Sequence, residues 1–135
     1  MTVNERRFLI FFMHGRRYAF DLAQIAEVMD PAVCWPIPFV PPCYCGAINF
    51  HGAIVAVMDL AVFLGFDRCP GQGKIVVLDV NVASLGFLVE SVERIVPEQE
   101  IEFSKAPDAP FASASLCLSE GDAMLLDIDA ILLDA

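Results

Sequence analysis

Residues 46–60 read GAINFHGAIVAVMDL, and this stretch decides the fold class that the sequence predicts. The runs GAINF (46–50) and AIVAVMD (53–59) have the composition of strands and flank a turn at His51 and Gly52. Glycine permits backbone conformations that a side chain would forbid, so Gly46 and Gly52 fit the shaping of such a hairpin. Asp59 stands where the second strand ends and the helical turn LAVFLG begins, which is the position of a helix-capping carboxylate.

The same stretch also contains a histidine and an aspartate, which could begin a catalytic site. The intervening strand AIVAVM would hold His51 and Asp59 about 20 Å apart, beyond hydrogen-bond reach. The sequence contains no nucleophile-elbow, phosphate-loop, dinucleotide-binding or zinc-protease motif. We therefore expect Asp59 to cap a helix and the protein not to be an enzyme.

Short apolar runs with turn residues between them continue toward the N-terminus. FLIFFM (8–13) and RYAFDL (17–22) predict two strands around a turn at His14 and Gly15. LAQIAEVM (22–29) has apolar residues at a helical spacing and predicts about two turns of helix. The proline-rich segment at 31–45 must be extended or loop, because proline disfavours helix both at its own position and before it.

Short apolar runs separated by turn residues also continue toward the C-terminus. The predicted elements are a loop at 67–73, a hairpin of KIVVLDV (74–80) and ASLGFLVE (83–90), a strand at VERIV (92–96), a polar connection at 97–110, a hairpin of SASLCLS (113–119) and AMLLDI (123–128), and a closing helix capped by Asp127 or Asp129. About ten short strands with little helix predict an all-β fold of barrel type.

The chain also resembles itself at half its length. YAFDLAQIAEV (18–28) aligns without gaps on LGFLVESVERI (85–95), at an offset of 67 residues. VAVMDLAVFL (55–64) aligns on AMLLDIDAIL (123–132) at an offset of 68, which places Asp59 over Asp127. Two matches at nearly one offset predict two similar β lobes, each marginal in size alone, that share apolar surface and leave a groove.

Length and charge limit the possible classes of protein. The 135 residues predict one domain, 1–135, and a net charge of −10 argues against a nucleic-acid partner. Residues 31–58 carry no formal charge, but five prolines interrupt them, so we expect no insertion into a membrane. The apolar run at 8–13 is too short for a signal-peptide core, and we expect a cytoplasmic protein.

Five cysteines leave one further possibility. An odd number without an export signal indicates reduced thiols, which as small apolar side chains need no other role. The C-x-C spacing at 43 and 45 matches no common zinc pattern, and we expect no metal or cofactor. A thiol- or metal-dependent site stays open as an alternative, built on Cys34, Cys43, Cys45 and Cys69.

The motifs together resemble one known family. The order of GRRYAFDLAQIAEV, G-x-x-N-x-x-G, an apolar strand and Asp-Leu, followed by LGFLVESVERIV and MLLDIDAIL, is similar to the CheW-like domain of bacterial chemotaxis from Phe8 to Leu133. The resemblance implies two intertwined five-stranded SH3-like β-barrels, each drawing on both halves of the chain, with short helices that include one at the C-terminus. It also implies a non-enzymatic adaptor that couples the cytoplasmic tips of chemoreceptors to the regulatory domain of a CheA-like histidine kinase.

The resemblance further implies two binding faces. A receptor groove would be lined by Ile25, Val28, Leu85, Gly86, Val92 and Ile95, and a kinase-facing surface by Glu27, Gly46, His51 and Ile54. Family members usually carry arginine where this chain has His51, and that arginine can pair with an acid at the Glu27 position. We expect the substitution to weaken this link. An alternative is a divergent regulatory or self-association module outside standard chemotaxis.

Overall fold

A computed structural model describes residues 5–135 and is rich in β-strands. The strands are β1 Arg7–Met13, β2 Arg16–Asp21, β3 Ile25–Met29, β4 Tyr44–Phe50, β5 Ala53–Asp59, β6 Lys74–Leu78, β7 Leu85–Val89, β8 Ser91–Pro97, β9 Glu102–Ser104, β10 Ala112–Leu118 and β11 Gly121–Leu126. The helices are α1 Leu60–Phe63 and α2 Ile128–Asp134, and 3-10 turns lie at Leu22–Gln24 and Glu98–Glu100.

The strands form two sheets. One has the order β8-β1-β2-β11-β10-β9 and the other β3-β6-β7-β5-β4, with parallel pairing of β2 to β11 and of β5 to β7. The internal repeat relates β1 to β6, β2 to β7, β4 to β10 and β5 to β11. The equivalent strands lie in the same order in both sheets, as β1-β2-β11-β10 and as β6-β7-β5-β4. Strand β3 lies beside β6, and β8 lies beside β1, so the two repeats exchange a strand. The predicted all-β, two-sheet fold with a C-terminal helix is confirmed, whereas closure of the sheets into barrels stays a prediction.

The chain divides into two compact units with separate cores. We call residues 5–23 and 92–135 the outer-chain unit, and residues 24–91 the mid-chain unit. The first has a buried cluster of Phe8, Ile10, Ala19, Val96, Ile101, Leu116, Ala123 and Leu125. The second has a buried cluster of Ile48, Val55, Val57, Ile75 and Val77. That residues 1–135 form one domain stays a prediction, and residues 1–4 lie outside the described part.

The predicted helix at 22–29 is wrong. Only the 3-10 turn Leu22–Gln24 is helical, and Ile25–Met29 is strand β3, paired antiparallel to β6. The register shifts between Ile25 and Glu27, so β3 contains a bulge. A bulge adds one residue to the two-residue alternation of a strand, and this places Ile25 and Val28 at a spacing that imitates a helix.

The predicted polar connection at 97–110 is also partly wrong. It contains the 3-10 turn Glu98–Glu100 and the three-residue edge strand β9, which pairs with β10. All three β9 residues are exposed, so the segment has no buried face that could produce an apolar pattern. The outer-chain sheet consequently has six strands rather than the five that the sequence predicts.

The capping and turn predictions hold. Asp59 accepts a hydrogen bond from Val62 N at the start of α1, and Asp127 accepts one from Ala130 N at the start of α2. No helix within residues 5–135 has the length and apolar character to cross a membrane.

Candidate functional site

The turn between β4 and β5 presents an exposed group of side chains in the mid-chain unit. His51 and Gly52 both have positive φ, 50° and 86°, as a two-residue type I′ hairpin requires. The Asn49 side-chain oxygen accepts a hydrogen bond of 2.8 Å from Gly52 N and fixes the turn. We call Glu27, Asn49–Gly52 and Ile54 the β4–β5 tip. Its turn is fixed by the Asn49 hydrogen bond, and most of its side chains are exposed.

Glu27 joins this tip from the opposite edge of the same sheet. His51 Nε2 lies 3.3 Å from Glu27 Oε1, and both side chains are substantially exposed. Strands β3 and β4 are the two edges of the mid-chain sheet, so the contact requires the sheet to curl. The contact is an ion pair when His51 is protonated and a hydrogen bond when it is neutral.

The other two residues of the predicted kinase-facing surface, Ile54 and Gly46, differ in their surroundings. Ile54 is 77% exposed and follows the turn by two residues. Gly46 is buried, and a Cβ built on it would lie 2.4 Å from the Trp35 carbonyl oxygen. Gly46 therefore shapes β4 beneath the proline-rich segment, whereas Glu27, His51 and Ile54 are accessible.

The mid-chain unit holds four of the six predicted groove residues. Ile25 and Val28 lie half-buried on β3, two strands from β7, which carries Leu85 and Gly86. Leu85 and Gly86 are buried. A Cβ on Gly86 would lie 3.0 Å from Ile75 Cγ2, so this position supports packing inside the sheet.

The outer-chain unit holds the other two groove residues, both on β8. Val92 is half-buried and Ile95 is 47% exposed. Two ion pairs hold this strand: Arg17 Nε lies 3.1 Å from Glu93 Oε2, and Arg94 Nη2 lies 2.7 Å from Glu120 Oε2. Sequence reasoning missed these pairs, because opposite charges in distant strands show no local pattern.

The Arg94–Glu120 contact has a clear electrostatic effect. The Arg94 guanidinium donates through both Nε and Nη2 to the Glu120 carboxylate, at 2.7–3.0 Å. These hydrogen bonds lower the pKa of Glu120 and raise the pKa of Arg94. Arg17 also donates to the Glu120 backbone carbonyl at 3.1 Å, so the turn between β10 and β11 is fixed from two sides.

Comparison with known protein families identifies the family to which this chain belongs. The model of the CheW-like domain matches residues 7–135, nearly the whole chain. The chain belongs to the CheW-like domain family. The family and the absence of enzymatic activity predicted from the sequence are thereby confirmed, and the chain is a protein–protein adaptor of the chemotaxis type.

Relatives from distant bacteria agree with this assignment. The chain is 29% identical over 137 residues to the chemotaxis protein CheW of Thermotoga maritima, covering 97% of this chain and 90% of the relative. It is 23% identical over 104 residues to CheW of Bacillus subtilis, covering 76% and 67%. The crystal structure of the scaffolding protein TtCheW from Thermoanaerobacter tengcongensis matches with a TM-score of 0.78 and 21% identity, covering 90% of this chain and 88% of that one.

The cysteines of this CheW-like chain are reduced thiols, all partly buried. Cys34, Cys45 and Cys69 line one cavity of about 270 Å³, and Cys43 and Cys117 do not. Within residues 5–135, no group of three or more His, Cys, Asp or Glu side chains is arranged to hold a metal ion. Burial raises the pKa of Cys34, Cys43 and Cys45, which keeps these thiols protonated at neutral pH.

Proposed function

We propose that the protein couples the cytoplasmic tip of a chemoreceptor to the regulatory domain of a CheA-like histidine kinase. The observation that carries this proposal is the contrast between two equivalent hairpins. The β4–β5 tip exposes the apolar Ile54 beside the loose Glu27–His51 contact, whereas the β10–β11 turn has its carboxylate fixed by Arg94.

The kinase-facing surface is formed by Glu27, His51 and Ile54, with Gly46 shaping the strand below them. An exposed isoleucine surrounded by polar groups is a suitable apolar anchor, and the neighbouring Glu27 and His51 give orientation. The type I′ turn holds these groups in place before binding, which limits the entropy lost on association.

The receptor-facing residues are Ile25, Val28, Leu85, Gly86, Val92 and Ile95. Ile25, Val28, Val92 and Ile95 are accessible in part, and Leu85 and Gly86 form the buried support. Apolar anchors on rigid strands fit the recognition of a helical tip by its apolar face. Bound receptor and bound kinase then bias each other through their fixed geometry, without covalent chemistry.

The proposal treats residues 1–135 as a single domain that works in the cytoplasm, where the receptor tip and the kinase lie. No cofactor is required for such coupling. A regulatory or self-association module outside standard chemotaxis is the competing function, and it requires neither partner to bind.

Titration of the purified kinase regulatory domain against single variants tests the kinase face. Ile54→Glu should weaken binding about tenfold or more, which corresponds to about 1.4 kcal/mol. His51→Arg should strengthen binding, because arginine is always charged and pairs better with Glu27. Val80→Glu is the matched control, since Val80 is equally exposed in the turn after β6. Equal loss in Val80→Glu and Ile54→Glu would contradict the assignment.

Pull-down with a receptor-tip fragment tests the receptor face. Ile95→Glu on β8 and Val28→Glu on β3 should each lose the receptor while retaining the kinase. Gly86 is a poor choice for this test, because any side chain there meets Ile75 and disturbs the sheet. If the unaltered protein binds neither partner, the module outside chemotaxis becomes the better function.

A further inference from the structure

The adaptor function leaves the thiol-lined cavity of the mid-chain unit without a role. Cys34 comes from the proline-rich segment, Cys45 from β4 and Cys69 from the loop before β6. Asp59 and Arg68 line the same cavity, with Arg68 Nε 3.5 Å from Asp59 Oδ2. Three independent segments therefore bring thiols to one space beside a guanidinium group.

Of the three cavity thiols, Cys34 and Cys45 are the two that pack on the apolar cluster of the mid-chain unit. The register of β4 shifts between Tyr44 and Gly46, so Cys45 is the extra residue of a bulge and is turned toward the apolar cluster of the unit. Cys34 packs on the same cluster. Its Cβ lies 3.1 Å from a Cβ built on Gly46, the residue next to Cys45.

The backbone around this pair is fixed. Trp35 and Ala47 exchange two hydrogen bonds of 2.8 Å, which hold the proline-rich segment against β4. A disulfide needs Cβ atoms about 4 Å apart, and it forms without strain only where the backbone already brings the residues together. The Trp35–Ala47 bridge holds the segment of Cys34 against β4, which carries Cys45, and both side chains pack on the same apolar cluster.

We propose that Cys34 and Cys45 are a dithiol that a hydroperoxide converts into a reversible disulfide. Cys45 loses its proton, and its thiolate attacks a peroxide oxygen to give a sulfenic acid and, with that proton, water or an alcohol. The Cys34 sulfur then attacks the sulfenic sulfur, the S–S bond forms, and hydroxide leaves with the Cys34 proton as water. Two thiols and one hydroperoxide are consumed, and a dithiol reductant restores the starting state.

The surroundings favour Cys45 as the first thiol to react. Arg68 hydrogen-bonds its sulfur and partly offsets the increase in its pKa caused by burial and by Asp59. Burial raises the pKa of Cys34, and within residues 5–135 no cation offsets this increase. Because both thiols are protonated at neutral pH, the reaction should accelerate as the pH increases and the thiolate fraction grows.

The bridge would crosslink the proline-rich segment to β4, close to Trp35 and upstream of the β4–β5 tip. This inference concerns the thiols alone and does not depend on the proposed partners, so the two proposals can fail separately.

The test is oxidation of the folded, full-length protein with hydrogen peroxide, followed by alkylation and peptide mapping without reduction. Chymotrypsin separates the three nearby thiols, because Phe39 lies between Cys34 and Cys43 and Tyr44 between Cys43 and Cys45. The expected product is a Cys34–Cys45 crosslinked peptide, with the accessible thiol count after unfolding reduced from five to three. Dithiothreitol should restore all five, and the circular dichroism spectrum should remain that of the folded protein.

Serine variants provide the controls. Cys34→Ser and Cys45→Ser should each abolish the crosslink, whereas Cys43→Ser and Cys117→Ser should keep it, since neither residue lines the cavity. Retention of five thiols after oxidation would overturn the proposal. A bridge from Cys45 to Cys43 or Cys69, or a bridge that forms only as the folded spectrum is lost, would overturn it equally.

Discussion

The two units share one strand order but cover their edges differently. In the outer-chain unit, β10 pairs with the short strand β9, through Ser115, Leu116 and Cys117. In the mid-chain unit, the edge of the equivalent strand β4 that faces away from β5 forms one bridge, between Ala47 and Trp35, and Pro36 follows without an N–H to extend the ladder. The equivalent edges of the two sheets are therefore covered by a polar strand, β9, in the outer-chain unit and by an uncharged, proline-rich segment in the mid-chain unit.

The equivalent bulges show the same divergence. The register of β4 shifts between Tyr44 and Gly46, and that of β10 shifts between Ala112 and Ala114, 68 positions later. The extra residue of the β4 bulge is therefore a cysteine, Cys45. The extra residue of the β10 bulge is a serine, Ser113, whose hydroxyl donates to the Leu125 carbonyl oxygen. The comparison indicates that the backbone of the repeat is kept, whereas its edges and tips have become specialised.

The largest expected effect distinguishes the two bulges. Gly46→Ala should lower the free energy of unfolding by about 3 kcal/mol, because the residue has a φ of 136° and its Cβ would meet the Trp35 carbonyl. Ala114→Gly, at the equivalent position of β10, should cost only about 0.5–1 kcal/mol. Urea unfolding of both variants measures the difference.

Gly52→Ala is the control for strain without a clash. Gly52 has a φ of 86°, but an added Cβ would meet nothing within 4 Å. Its cost should be about 1 kcal/mol. If Gly46→Ala is no more destabilising than Gly52→Ala, the proline-rich segment does not constrain β4, and the contrast between the two edges fails.

The second prediction compares the two helix caps. Asp59 and Asp127 make the same hydrogen bond, but Asp59 is 4% exposed and also faces Arg68, whereas Asp127 is exposed. Asp59→Ala should cost about 2 kcal/mol and Asp127→Ala about 1 kcal/mol. Thermal unfolding measures both, with the asparagine variants as controls that retain a capping oxygen. Equal costs would show that burial adds nothing to the Asp59 cap.

The smallest expected effect concerns the Arg94–Glu120 ion pair at the turn between β10 and β11. Arg94 lowers the pKa of Glu120 in the folded state, so the contact stabilises the fold above the ordinary glutamate pKa. This stabilisation is lost as the pH falls through the lowered pKa. In Arg94→Met, the dependence of stability on pH should become flatter over that acidic interval.

Lys105→Met is the matched control for this titration, since it removes one positive charge from the same unit without touching Glu120. Both variants are measured by urea unfolding at a series of acidic pH values. A Lys105→Met curve as flat as that of Arg94→Met would attribute the effect to net charge rather than to the contact.

The parts of the fold that obey local rules could be predicted from the sequence. The β4–β5 hairpin and both aspartate caps follow from glycine, asparagine and carboxylate chemistry within a few residues. The sequence of β3 predicts a helix because its bulge disturbs the alternation of a strand, and β9 gives no sequence signal because a three-residue exposed strand exists only through its partner. A local sequence pattern reveals neither a bulge in a strand nor the partner with which a strand pairs.

The same limit applies to the sites. The proximity of Glu27 to His51 came from the family resemblance, since no local spacing joins two edges of one sheet. The sequence groups Cys34, Cys43, Cys45 and Cys69 as an alternative site, but it cannot show that only Cys43 of these lies outside the cavity, because a loop and a bulge bring the other three together. The predicted kinase-facing set included Gly46, whose burial under Trp35 depends on the course of the proline-rich segment.

The exchange of β3 and β8 has a consequence for protein synthesis. The mid-chain unit is one continuous stretch, so all of its strands have left the ribosome once residue 91 has emerged. The hairpin β1–β2 is made first, yet its neighbours β8 and β11 are made much later. Among the described strands, β1 and β2 are therefore translated before the others yet belong to the last sheet to be completed, and their apolar residues must be kept from aggregating during that interval.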